Sequence, residues 1–148
     1  ILGMYEDMKR AASAAALVTG ASENVYCGLL YAERYPSLTL GEAFKTNMAP
    51  LGEVMNYPDY TAQVGSSDIG NVSLVMPAIH EYLAIGSPKE LVSHHESFRE
   101  AAAGRRADEV ILLAAKGLAM TGLDVMTDDA LYQSMRDEFE KKVRPNQC

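Results

Sequence analysis

The sequence has 148 residues, a formal net charge of −7 and a hydrophobic content of 48%. This length suits one compact unit, and the hydrophobic content is high enough to build a core. Because nucleic-acid binding needs a clustered positive surface, which the sequence lacks, we expect no nucleic-acid partner. The sequence shows no signal-peptide pattern and no unbroken apolar run of about 18 residues, so we expect no membrane partner either.

The two cysteines, Cys27 and Cys148, are too few and too far apart for a disulfide framework or a zinc ribbon. Cys27 lies in a strand-like pattern without a nearby base, which favours a packed thiol over a nucleophile. We therefore expect a reducing, cytoplasmic compartment. The chain opens directly in a helical pattern and does not begin with Met, so we expect it to be a piece of a longer protein.

The first half of the chain predicts a helix over 1–18, a strand over 24–35 and a second helix over 39–51. The first helix is alanine-rich and stops at Gly20. The strand has aromatic and β-branched residues and ends at Pro36. Thr39 is expected to cap the second helix, because Glu42 follows it at the spacing of a capping box.

The second half predicts strands at about 72–76 and 81–85, a long helix over 107–125 and a final amphipathic helix. The first of these strands is continuously apolar, which is typical of a buried strand. The long helix is apolar around most of its circumference, so we expect it to be buried on more than one side. Thr127 or Asp128 caps the final helix. These elements predict a mixed α and β (α/β) fold. Its strands and long helix need more packing partners than this chain supplies.

All three histidines lie between positions 80 and 95. His80 is either a core-edge histidine bonded to a backbone carbonyl or a site histidine that donates to a substrate oxygen. His94 and His95 are adjacent and point in different directions, so at most one of them reaches a shared site. A plain pair of surface histidines is the alternative. No HxxxH, HxH or CxxC spacing is present, so the sequence does not contain a complete metal site.

The segment GSSDIGN, residues 65–71, has two interpretations. It is a simple turn, because Asp, Asn and Gly tolerate left-handed conformations, or it presents backbone N–H groups and the Asp68 carboxylate to a ligand. It is not a phosphate loop, since the GxxxxGK[ST] spacing is absent. Serine catalysis is not indicated, because the sequence has no GxSxG.

Two stretches together resemble a known family: GSSDIGNVSLVMPAIHEYLAIG at 65–86 and HHESFREAAAGRRADEVILLAAKGLAMTGLDVM at 94–126. They are similar to the carboxyl-terminal part of the two-metal aminoacylase and dipeptidase family, closest to its aminobenzoyl-glutamate hydrolase and dipeptidase-like branch. The resemblance implies that 1–36 is the last helix and strand of a ferredoxin-like lid and dimerisation domain. It implies that 37–148 is the carboxyl-terminal part of a three-layer, zinc-peptidase-like catalytic domain.

Carried over residue by residue, the resemblance implies one metal ligand, His94, the first histidine of the HHESF loop. It places Asp68 and Asn71 at a turn beside the active site, and His80 near the substrate. It assigns no catalytic residue in this sequence. The family's other ligands and its catalytic glutamate belong to amino-terminal motifs that this sequence does not contain.

The resemblance implies a zinc- or manganese-dependent amidohydrolase or dipeptidase with two metals per site. A metal-activated water would hydrolyse the amide bond of an N-acyl amino acid or dipeptide. The implied partners are the missing amino-terminal half of the same protein and a second copy, joined through the lid domain. This chain alone is expected to be inactive. The alternative is a non-catalytic binding or assembly fragment whose helices over 1–18 and 107–125 pack on a partner chain.

Overall fold

The structure is a computed structural model that describes residues 2–57, 65–87 and 90–146. It forms two compact units, Ile1–Leu30 and Tyr31–Cys148. The helices in the described ranges are α1 (Leu2–Thr19), α2 (Leu38–Met48), α3 (Ile69–Ser73), α4 (Glu96–Ala102), α5 (Arg105–Thr127) and α6 (Asp129–Lys142), with 3-10 turns at Ala49–Leu51 and Arg144–Asn146.

The first unit contains α1, whose alanine-rich sequence favours a helix. Gly20 ends the helix in a left-handed conformation with φ of 69°, which glycine adopts without strain. The amide of Ala21 donates to the carbonyl of Ala16, 3.1 Å away, and satisfies one carbonyl of the last turn. The predicted helix and its stop at Gly20 are confirmed. Residues 21–30 form neither helix nor strand.

The core of the second unit lies where α2 packs on α5. Phe44 and Met48, on the apolar face of α2, are fully buried. They lie over Gly117 of α5, where an added Cβ would overlap the Met48 sulfur and lie 3.0 Å from the Phe44 ring. The two helices can approach this closely because Gly117 has no side chain. Met135 and Phe139 of α6 complete the core.

The long helix α5 extends beyond its predicted bounds of 107–125 by two residues at each end. One face is buried through Ala107, Val110 and Thr121. The rest of the helix surface carries exposed apolar side chains: Ile111, Leu112, Leu118, Leu123 and Met126. The prediction of burial on more than one side is therefore wrong for the part of the chain that is described. By length and composition α5 could also cross a membrane, a test that core helices of soluble proteins pass as well.

The start of α2 differs from the predicted capping box. Ser37, not Thr39, is the N-cap, and its hydroxyl oxygen accepts a hydrogen bond from the Leu40 amide at 3.3 Å. The orphan amides of Leu38 and Thr39 donate to the Glu138 carboxylate of α6, at 3.1 and 2.9 Å. A carboxylate about a hundred residues away thus binds the first two amides of α2 in addition to the Ser37 cap. A local sequence motif could not predict this contact.

The predicted mixed α and β fold is wrong for the described ranges, in which no residue lies in a strand. Residues 24–35 form neither helix nor strand, and neither do residues 81–85. The apolar run 72–76 comprises the end of α3 and the turn after it. A short apolar run fits a helix as well as a strand, so its hydrophobic pattern could not decide between them.

These segments form no sheet in the described ranges because a strand needs a neighbour for its backbone groups. The segment 31–37 meets 77–80 through one backbone hydrogen bond, from the Ser37 amide to the Ala78 carbonyl, 2.9 Å. Side chains of α3 accept hydrogen bonds from other amides of the first segment. The two units divide between Leu30 and Tyr31. The predicted domains, a lid end over 1–36 and a catalytic part over 37–148, divide six residues later and stay a prediction.

Candidate substrate-binding corner

The short helix α3 lies directly against the backbone of segment 32–35. At Gly70 an added Cβ would overlap the carbonyl oxygen of Ala32 and lie 2.8 Å from its carbonyl carbon. Because both of these Ala32 atoms belong to the backbone, neither can rotate away as a side chain could. Gly70 is therefore required for the close approach of α3 to this segment.

Two polar side chains of α3 hold the same segment. The Asn71 side-chain oxygen accepts a hydrogen bond from the Ala32 amide at 3.0 Å. The buried Ser73 hydroxyl accepts from the Tyr35 amide at 3.0 Å and donates to the Gly70 carbonyl at 2.7 Å. The GNVS sequence of α3 thus clamps a backbone that has no sheet partner among the described residues. We call Gly70, Asn71 and Ser73 the α3 clamp.

Arg34 lies between the two clamped positions of this segment. Its guanidinium donates to the Tyr82 hydroxyl at 3.3 Å and to the Gly65 carbonyl at 3.4 Å. The Tyr82 ring stacks on His80, with ring centroids 4.9 Å apart and an interplanar angle of 27°. The structure therefore brings His80 together with Arg34, Tyr82 and the start of the GSSD turn. We call Arg34, Gly65, His80 and Tyr82 the arginine corner.

Asp68 and Asn71 are the other predicted residues of this turn. Asp68 lies immediately before α3, and Asn71 lies in its middle. Asp68 precedes the helix, but its carboxylate does not cap it. The carboxylate is exposed and accepts a long hydrogen bond from the Ser67 hydroxyl, 3.4 Å. The Asn71 side-chain oxygen is bonded to Ala32, so its contribution to a nearby site would be to position segment 32–35.

His94 lies in a separate loop immediately before α4. Its backbone is left-handed, with φ of 63°, which is unusual for a residue other than glycine. The imidazole is exposed and lines an open groove of about 500 Å³ together with Glu96 and Arg99. Among the contacts of the described residues, none joins His94 to the arginine corner.

His95 lines the same groove as His94, but one of its ring nitrogens is used locally. As the N-cap of α4, its Nδ1 accepts a hydrogen bond from the Ser97 amide at 3.2 Å and lies 3.1 Å from the Ser97 hydroxyl. Both histidines are exposed, and they differ in that only His95 caps a helix. That only one of them reaches a shared site stays a prediction.

The described residues do not build a metal centre by themselves. Across 2–57, 65–87 and 90–146, no group of three His, Cys, Asp or Glu side chains is placed to hold an ion. His94 could supply one imidazole, whereas zinc sites use three or four protein ligands. A metal bound at His94 would therefore need ligands from outside the described chain.

A second cleft, of about 230 Å³, lies where Pro36, Ser37 and Pro77 meet α6. The Glu138 carboxylate forms its polar wall. Burial raises the pKa of Glu138, but hydrogen bonds from Thr39, Leu38 and Lys142 outweigh it and lower the pKa to about 2. This carboxylate remains ionised at neutral pH and is committed to the start of α2, so we assign the cleft to the fold rather than to a site.

The sequence pattern did not identify Arg34, Gly70 or Ser73. Gly70 stood in the quoted turn, but the reason for a glycine there is a contact 38 residues back along the chain, at Ala32. Arg34 lies near the end of the predicted strand 24–35, and its position there gives no sign of a role in a site. Cys27 is a free, half-buried thiol, whereas Cys148 lies outside the described residues.

Comparison with known proteins gives two curated relatives. The chain is 38% identical over 142 residues to a protein of Mus musculus named Xaa-Arg dipeptidase. It is 36% identical over 142 residues to the Homo sapiens protein of that name. Each match covers 90% of this chain and 31% of the relative, so the chain spans about a third of the length of these relatives. No family model matches the chain.

These similarities support the resemblance to a dipeptidase-type family that the GSSD turn and the HHESF loop indicate. They extend it from about 64–126 to 90% of the chain. The aminobenzoyl-glutamate hydrolase branch stays a prediction.

Proposed function

We propose that this chain is part of a dipeptidase that cleaves the amide bond of a dipeptide or N-acyl amino acid with a free carboxylate. The observation that carries the proposal is the similarity to two proteins named Xaa-Arg dipeptidase. A dipeptide with arginine at its carboxyl end is therefore the first substrate to test. Because the chain spans about a third of those relatives, the activity belongs to the whole polypeptide, and the chain alone would be inactive.

Within that enzyme the α3 clamp and the arginine corner would form one wall of the substrate site. His80 is exposed and fixed against Tyr82, and can offer a ring nitrogen to a substrate oxygen. The exposed Asp68 carboxylate lies in the same turn as Gly65 and could contact the substrate from the edge of this wall. Asn71 would act indirectly, by accepting the hydrogen bond from the Ala32 amide two residues before Arg34.

For the cofactor we propose Zn²⁺ or Mn²⁺, with His94 as one ligand. The support is its place in the HHESF loop, its exposed imidazole and its lack of a hydrogen-bond partner in the described chain. The capping role of His95 leaves His94 as the histidine of the pair with an uncommitted ring. The remaining ligands would come from sequence that the longer relatives possess.

His94→Ala, made in the protein expressed from its natural reading frame, tests this assignment. We expect metal content, measured by elemental mass spectrometry, to fall by about one ion per chain, and dipeptide hydrolysis to be lost. His95→Asn is the matched control, because Asn also caps helices well, and it should keep both metal and activity. Wild-type metal content and rate in His94→Ala would overturn the assignment.

The remaining assignments rest on the resemblance alone. We propose a homodimer formed through a lid domain that ends in residues 1–36, a catalytic part over 37–148, and a cytoplasmic location. Sedimentation of the natural polypeptide with and without residues 1–36 would test the dimer. A dimer that survives the deletion would contradict this role for the lid.

A second function has its own support. The exposed apolar face of α5, with Ile111, Leu112 and Leu118 at more than half exposure, is of the kind that packs on a partner. The chain would then be a non-catalytic assembly fragment. Under that function the unsubstituted chain associates with a partner chain, and replacing Ile111 and Leu118 with Gln abolishes the association. An unsubstituted chain that is already monomeric would exclude this function.

A further inference from the structure

The ring of Tyr82 differs from other tyrosine rings of the described chain in what lies over it. Three rings have a positive charge of this chain 4.3 to 6.0 Å from the ring centroid: Tyr5 with Lys9, Tyr57 with Lys45 and Tyr132 with Arg136. No Lys or Arg of the described ranges lies over the Tyr82 ring, because Arg34 contacts Tyr82 at the hydroxyl instead. The negative face of a phenol ring attracts cations, so the face of Tyr82 can still bind one.

The Tyr82 ring is held at two points and is still accessible. One face stacks on His80, with ring centroids 4.9 Å apart. The hydroxyl accepts the hydrogen bond from Arg34, whose backbone lies between the two amides that the α3 clamp binds. Tyr82 is nevertheless 69% exposed, and because a stack covers only one face of a ring, the exposed surface includes the opposite face. The ring is therefore a fixed aromatic surface that a ligand can reach.

We propose that the exposed face of Tyr82 binds the side-chain guanidinium of a substrate whose carboxyl-terminal residue is arginine. This inference rests on the proposed dipeptidase function and adds the residue that selects a positively charged, planar side chain. A guanidinium is flat and weakly hydrated and stacks on aromatic rings, whereas the ammonium of lysine is compact and strongly hydrated. We therefore expect Tyr82 to favour arginine over lysine, and both over a neutral side chain of the same shape.

The contacts of Tyr82 determine how such a surface acts. Because His80 and Arg34 already limit the movement of the ring, little conformational entropy is lost when a ligand binds. The ring contacts the substrate side chain and not the bond that is cleaved, so the contact has the same strength before and during the reaction. A contact of that kind lowers KM without changing kcat. Tyr82 is thus a specificity-determining residue in this proposal, not a catalytic one.

The test compares free arginine with free citrulline, whose neutral urea group has nearly the shape of a guanidinium. Neither has a peptide bond to cleave, so calorimetric titration of the protein expressed from its natural reading frame measures binding alone. Wild type should bind arginine about 3- to 20-fold more tightly, as expected for a cation–π contact at a partly exposed ring. Tyr82→Leu should lose this preference. Tyr82→Phe should keep most of it, because phenylalanine retains the aromatic face.

Tyr132→Leu is the matched control. Tyr132 also accepts a hydrogen bond from an arginine, Arg136, at 3.3 Å, but it lies on α6 and outside the arginine corner, so its loss should leave the preference unchanged. If the preference for arginine remains in Tyr82→Leu, the inference is wrong, and its loss in Asp68→Asn would then assign the selection to the turn carboxylate. Equal binding of the two amino acids by wild type, or binding of neither, would also overturn it.

Hydrolysis of dipeptides that end in arginine or citrulline separates this inference from the proposed function. Tyr82→Leu should raise KM for the arginine dipeptide about 3- to 20-fold and leave kcat almost unchanged. If wild type hydrolyses neither dipeptide but binds arginine more tightly than citrulline, and Tyr82→Leu loses that preference, the function is wrong and the Tyr82 site stands. If wild type hydrolyses both dipeptides equally well and binds both amino acids equally, the function stands and the Tyr82 site is wrong.

Discussion

The contact between α2 and α5 and the contact between the α3 clamp and segment 32–35 are held together in different ways. In the first, Phe44 and Met48 bury apolar surface over Gly117, and the backbone groups in the middle of each helix bond within that helix. In the second, an extended segment has few backbone partners, and Asn71 and Ser73 supply acceptors for its amides. The core therefore depends on shape, whereas the clamped segment depends on individual hydrogen bonds and on Gly70.

The largest expected effect comes from Gly70→Ala in the α3 clamp. The new Cβ meets the backbone of Ala32, which can move only with the whole segment 32–35. We expect a loss of about 3 kcal/mol in the free energy of unfolding, at the upper end for overpacking. Urea denaturation followed by circular dichroism measures it. An unchanged midpoint would show that α3 does not lie against this segment.

Gly117→Ala should weaken the core by less, about 2 kcal/mol, because the Met48 side chain is flexible and can partly yield. Gly122→Ala is the control on the same helix, since nothing lies within 4 Å of its added Cβ. That change should stabilise the chain by about 0.5 to 1 kcal/mol through helix propensity. If both substitutions stabilise equally, α2 and α5 do not meet at Gly117.

Glu138→Gln should cost about 1.5 kcal/mol at neutral pH, because it removes the charged acceptor at the start of α2. Glu140→Gln, which removes a pair with Arg144 on the surface of α6, should cost about 0.5 kcal/mol or less.

The same substitution has a predicted pH dependence. The pKa of Glu138 is lowered to about 2 from an ordinary 4.5, so the folded state favours the ionised form. Its contribution is complete above pH 4.5 and is lost as the pH falls towards 2. Urea denaturation at several pH values should therefore show the difference between wild type and Glu138→Gln shrinking over that window. A constant difference would contradict the cap.

The comparison also explains which features the sequence could predict. The helices α1 and α2 follow from residues close together in the chain, such as the alanines before Gly20 and the apolar face that contains Phe44. The predicted bounds of α5, 107–125, lie two residues inside its observed ends. These elements satisfy their own backbone, so a local pattern is sufficient.

The strands were wrong for the same physical reason. A strand exists only with a neighbour, and residues 24–35 and 81–85 have β-like composition but no ladder partner in the described ranges. The corner was predictable in part: His80 was singled out from its position. Arg34 was not, because its contacts with Gly65 and Tyr82 join residues 31 and 48 positions apart.

The most direct test of the central claim is whether the protein, expressed from its natural reading frame, releases arginine from a dipeptide with arginine at its carboxyl end. Liquid chromatography with mass spectrometry would follow both product amino acids with time, with zinc or manganese supplied. The account predicts equal molar release of the two amino acids, with much slower release from the carboxamide. Intact dipeptide after prolonged incubation with metal-loaded protein would contradict it.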